Sequence, residues 1–98
     1  MSGVELIAVE RERQVSVEGW TPEHDDTHTK GEMADAGACY ALEAAHNSAY
    51  VAGRWMAILW PWSTEWWKPS HDRIRNLVKA GALIAAEIDR LQRLEASR

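Results

Sequence analysis

A small, mostly α domain of three or four helices, with a His/Asp-rich loop and a Trp/Pro-rich loop, is the fold class this sequence predicts. Three observations lead to it. Apolar residues recur at helical spacing in segments near 3–17, 30–46 and 71–95. A capping residue precedes each segment: Ser2, Thr29 and Ser70. The chain has 98 residues, the length of a single domain (1–98) of a size that often gains stability by oligomerising.

The first helix starts behind Ser2, with Val4, Ile7, Ala8, Arg11 and Val15 at helical spacing, and Gly19 is a natural stop. Glu5, Glu10, Arg11, Glu12 and Arg13 crowd its other faces, and Glu10 with Gln14 reads as part of a solvated surface. Arg13, placed by periodicity beside Leu6, Val9 and Val17, is expected to point inward toward a carboxylate, with Glu32 or Asp26 as candidates.

Next comes Gly19 to Glu32, dense in titratable groups, where Pro22 starts a short turn through Glu23 and His24. Thr29 and Glu32 have capping-box spacing and open a second helix rich in small residues. Gly37 costs helix stability there, so it marks close packing. Asn47-Ser48 reads as a break. Val51, Trp55, Ile58 and Leu59 suggest a short helix interrupted by Gly53 and ended by Pro61, followed by an aromatic loop from Trp60 to Pro69. Behind Ser70, the last helix sets Ile74, Leu77, Val78, Gly81, Ile84, Ala85, Ile88 and Leu91 on one stripe. Arg73, Arg75, Asp89, Arg90 and Arg93 are expected outward.

Hydrophobic content of 46% with 27% charged is an ordinary globular composition. The net charge of −4 argues against nucleic acid as a partner. One cysteine excludes an intramolecular disulfide and fits a reducing cytoplasm. No basic stretch followed by an apolar core opens the chain, so no signal peptide is expected. The apolar runs fall short of the roughly 20 residues of a membrane helix, and no membrane partner is expected.

Two clusters carry candidate chemistry. His24, Asp25, Asp26, His28 and Glu32 combine imidazole and carboxylate, the donor set of a divalent-metal site. The alternative is structural: the two Asp accept backbone amides in a turn, and His28 ties the loop to the first helix. The second cluster is aromatic. There are six Trp and two Tyr but no Phe, a usage that suits stacking on a planar group or an interface as well as core filling. Trp20, Trp60, Trp62, Trp66 and Trp67, with Lys68 and Arg13, have the parts of a nucleotide pocket in which the base stacks and the phosphates meet cations. Cys39, mid-helix among alanines, reads as a packing residue.

Three blocks, Glu18 to Asp26 with His28 and Gly31-Glu32, Trp60-Pro61-Trp62 with Trp66 to Pro69, and Leu77 to Ile84, resemble a group of small uncharacterised bacteriophage and prophage proteins. Arg13, Gly19-Trp20, Asp25-Asp26, His28, Pro61-Trp62 and Asp72-Arg73 resemble, in order, the pattern of the ryanodine-receptor-type repeat domain, with Trp where that family has Tyr. That resemblance implies nucleotide binding. Glu32 and Asp35 have the spacing of a magnesium-binding pair in the all-α nucleotide pyrophosphatase group related to MazG, although Glu87 and Asp89 are wrongly spaced for its second pair. The leading expectation is therefore a phage-type protein of the host cytoplasm that binds a nucleotide or nucleotide-derived signal without transforming it, sequestering a host defence signal. The alternatives are a metal-dependent hydrolase using Glu32, Asp35 and the His/Asp segment, and an inhibitor that blocks a host protein with its Trp loop. Exposed Trp surface also implies a homodimer or higher homo-oligomer.

Overall fold

The last helix is the spine of the domain. In a computed structural model, whose described residues are 1–46 and 49–98, the elements are α1 (Gly3–Ser16), α2 (Pro22–Asp25), α3 (Glu32–His46), α4 (Ala49–Leu59), a 3-10 turn (Thr64–Trp66) and α5 (Arg73–Ala96). The architecture is mostly α, with no strand among the described residues. α3 and α1 both pack on α5, α2 meets its C-terminal part, and α4 packs on α3. The break expected at Asn47-Ser48 lies outside the described residues.

Capping sets the boundaries. Ser2 and Glu5 form a reciprocal capping box at α1. Gly19, at φ 76°, takes the left-handed turn that follows α1 and brings the Trp20 amide onto the Gln14 carbonyl at 2.9 Å. Thr21 caps α2, with Pro22 in its first turn. Elsewhere the expected caps are displaced. α3 begins at Glu32, after a left-handed Gly31, and the Glu32 carboxylate folds back on the Lys30 amide, not on that of Thr29. α5 is capped by Asp72, which accepts from the Ile74 amide. Ser70 instead braces the lead-in, exchanging two hydrogen bonds with the buried Asn76 at 2.8 and 2.9 Å. Gly53 does not interrupt α4, which runs to Leu59 before the Trp60-Pro61 pair ends it.

The α3–α5 contact is made of small residues. Ala36 and Ala80 are buried in one cluster, and a Cβ on Gly37 would stand 3.2 Å from the Ala80 carbonyl oxygen. The expectation that Gly37 marks close packing holds for this reason. Tyr40 and Leu83 extend the core toward Trp20, Trp60, Trp62 and Trp67. Most of the exposed Trp surface expected to drive self-association is thus turned inward, with Trp55 and Trp66 the exposed exceptions.

α1 corrects a second expectation. Its buried residues are Glu10 and Gln14, whereas Val4 and Val9 are exposed. Glu10 is paired with Arg13 at 2.9 Å and with Arg75 of α5 at 2.7 Å, and it accepts from Gln14 at 3.2 Å. α1 therefore docks through a polar seam. Arg90, expected outward, is buried against Glu87 at 2.5 Å, while Arg75 and Arg93 are half-buried in ion pairs and Arg73 and Asp89 stay exposed.

Candidate functional site

The loop between α1 and α3 is held by two ion pairs to different helices. Arg11 of α1 pairs with the buried Asp25 and donates to the Trp20 carbonyl at 3.2 Å. Arg93 of α5 pairs with Asp26 at 2.7 Å and donates to the Pro22 carbonyl at 3.3 Å. α2 is thereby clamped between α1 and α5. Burial pushes the Asp25 carboxyl above its ordinary value, against the opposing pull of Arg11. Asp25 thus ties the loop to the first helix, a role expected of His28.

His28 faces the other way. The rings of His24 and His28 meet edge-on at 5.1 Å, and His28 lies 5.2 Å from Trp62. His28 Nδ1 is 3.6 Å from a Glu32 carboxylate oxygen. Among the described residues no three His, Cys, Asp or Glu side chains form a group able to hold a metal ion.

Opposite this loop stands the aromatic segment. Pro61 and the 3-10 turn fold it back on itself, so that Trp60 Nε1 donates to the Ser63 carbonyl at 3.1 Å and the Trp66 amide donates to the same oxygen at 3.0 Å. Trp60 meets Trp62 edge-on at 5.5 Å and Trp67 at 5.0 Å, and Trp67 lies 4.7 Å from Tyr40. Edge-to-face contacts of this kind suit the aromatic quadrupole and make a stiff wall.

Between the two loops is a chamber of about 420 Å³ lined by Trp20, His24, Asp25, His28, Trp60, Trp62 and Trp66, with Met33, Tyr40, Ser63 and Leu83. A smaller cavity of about 90 Å³ shares Trp20, Tyr40, Trp66 and Leu83 with it, and adds Arg13, Lys68 and Lys79 beside Glu10, Gln14 and Glu18. Arg13 is committed to Glu10 and Glu18, both at 2.9 Å, and these two carboxylates hold its pKa above the ordinary value. Asp26 and Glu32, its expected partners, are engaged elsewhere. Lys68 and Lys79 have no carboxylate partner among the described residues. Lys79 Nζ donates to the Lys68 carbonyl at 2.8 Å over the Tyr40 ring, and burial together with Arg75 pushes its pKa down. Lys68 lies over Trp66 at 5.7 Å. The Gln14 side-chain oxygen is buried with no hydrogen-bond partner among the described residues.

The site expected from the sequence is therefore divided. Trp20, His24, Asp25, His28, Trp60, Trp62 and Trp66 share the chamber, Arg13 and Lys68 lie at the smaller cavity, and Asp26, Glu32 and Trp67 line neither. Sequence reasoning missed Arg11, Tyr40 and Lys79. A charged residue on the apolar stripe of the first helix was the signal for Arg11, and an isolated bulky side chain among alanines was the signal for Tyr40. Cys39 is buried in α3, and burial with the nearby Asp35 pushes its thiol up to about 11, which leaves it protonated and unreactive at neutral pH. No protein-family model, curated protein or solved structure matches the chain. No helix among the described residues is long and apolar enough to cross a membrane.

Proposed function

We propose that this chain binds a nucleotide or nucleotide-derived signal and holds it without transforming it. The observation that carries this reading is the meeting of Trp20, Trp60, Trp62 and Trp66 on one chamber beside a smaller cavity edged by Lys68 and Lys79. The chamber volume, about 420 Å³, is in the range of small-molecule sites, roughly 300–1,000 Å³. Indole faces bury a planar base and tolerate its substituents, and His24 and His28 supply polar contacts at its edge. Phosphate is drawn to Lys68 and Lys79, with Arg13 behind them already matched by carboxylates. Asp25, engaged by Arg11, shapes the wall.

Binding is favoured over turnover because the chamber's one carboxylate, Asp25, is already paired with Arg11 and the rings of His24 and His28 pack on each other and on Trp62. A binder of this kind acts by sequestration. If the chain is phage-encoded, the molecule removed would be a host defence signal.

The test is to incubate the purified protein with a nucleotide panel and magnesium, filter it, and chromatograph what stays bound. Retention of an intact nucleotide supports the reading. Conversion of the nucleotide, abolished by chelation and by Glu32→Gln, would replace it with a hydrolase. Retention of nothing would turn the search toward a protein partner.

A further inference from the structure

α5 carries a second pattern on the side away from the chamber. Ile74, Leu77, Gly81, Ile84, Ile88 and Leu91 recur in alternating steps of three and four, the a/d spacing of a coiled-coil seam. A helix normally buries such a stripe within its own domain. Here Ile74 is 62%, Leu77 52%, Ile84 44%, Ile88 51% and Leu91 44% exposed, while Ala80, Ala82, Leu83 and Ala86 take the buried positions. The flanks are walled. Ile7 of α1 lies so close to Gly81 that an added Cβ would come within 2.4 Å of its Cδ1, and Gly37 of α3 lies against Ile84. The seam is the exposed strip of α5 left between α1 and α3.

We infer that this strip is the interface of a homodimer in which α5 of a second copy packs antiparallel on α5. Three features select that occupant. Heptad spacing is matched by a helix of the same period, and the same helix is available on every copy. The seam's five large apolar side chains, each more than 40% exposed, lie along one helix face, and exposed apolar patches of this kind mark interaction sites. Charge sets the direction. An antiparallel pair puts the exposed Arg73 at one end near the partner's Glu95 at the other, and brings opposite ends of the helix dipoles together. A parallel pair would set Arg73 on Arg73 and Glu95 on Glu95. The two-fold axis then falls between Gly81 and Ile84, and the chamber, reached from the Leu83 side of α5, stays open. The dimer does not depend on what the chamber binds.

Sedimentation equilibrium on the full chain is expected to give twice the monomer mass of 11.1 kDa. Ile84→Glu and Ile88→Glu each shift the protein to monomer with an unchanged helical circular-dichroism spectrum. Leu77→Lys, at the other end of the seam, does the same should either glutamate variant lose that spectrum. Under a short thiol cross-linker, Ile84→Cys, near the axis, joins to its own copy and Leu91→Cys does not, with Cys39 too buried to interfere. A monomeric native chain, or a dimer that survives all three substitutions, overturns the interface, and the reverse cross-linking pattern overturns the antiparallel arrangement.

Discussion

Arg11 reaches from α1 to Asp25 of α2, and the same guanidinium holds the Trp20 carbonyl at 3.2 Å. One side chain thus fixes both the backbone that carries Trp20 and the loop that carries His24 and His28.

Arg11→Ala leaves Asp25 buried without its cation. Because both partners are largely out of water, with side chains 16% and 3% exposed, the loss is expected to be about 3 kcal/mol. Urea unfolding followed by circular dichroism measures it. Arg11→Ala with Asp25→Asn is expected to recover part of the loss, since the stranded charge is then gone.

Trp66→Ala tests the stacking wall with little effect on the fold, because Trp66 is half exposed. A base stacked there loses about 1–3 kcal/mol, so nucleotide affinity falls roughly 5- to 150-fold while the unfolding midpoint barely moves. Unchanged affinity in both Trp66→Ala and Trp20→Ala, measured by calorimetric titration, removes the chamber from consideration.

Glu10 predicts an acid limit to stability. Burial pushes its carboxyl up, but Arg13 and Arg75 outweigh burial and hold it below the ordinary 4.5. The folded state therefore binds this proton less readily than the unfolded chain does. Its stabilising contribution is complete above the unfolded value of 4.5 and is lost as pH falls through the lower folded value. Asp25, pushed up by burial, has the opposite sign. Glu10→Gln should flatten the acid side of the stability profile.

Two glycines should respond in opposite directions. Gly37→Ala forces a Cβ to 3.2 Å from the Ala80 carbonyl and from Ile84, and the backbone atom cannot swing aside, so α3 and α5 must part at a cost of about 1–3 kcal/mol. Gly53→Ala meets nothing within 4 Å inside α4 and should stabilise by up to about 1 kcal/mol. Thermal denaturation of the two variants reads both signs.

Much of the fold was legible because local chemistry decides it. Ser2, Pro22 and Pro61, which cap, start and end their helices, act within a few residues of themselves. The heptad stripe of α5 was equally visible. What periodicity could not say is which neighbour covers which face, and α1 and α3 leave that stripe open. Glu10 looked solvated because Arg75, its partner, is remote in sequence. Asp72 displaced Ser70 as the cap because Ser70 is taken up by Asn76. At the site, composition alone gathered most of the chamber. Arg13 was misassigned because Glu10 and Glu18, near it in sequence, outcompete the loop carboxylates.

The ring packing of Tyr40, Trp60, Trp62 and Trp67, at separations between 4.7 and 5.9 Å, also has an optical consequence. Indoles this close exchange excitation energy, so their ultraviolet emission is a signature of the group and not of separate chromophores. With Trp20 and Trp66 on the same chamber, most of the protein's light comes from one place. An emission change on adding a compound therefore reports the chamber, and emission that fades before the helical signal would show the chamber opening ahead of the spine.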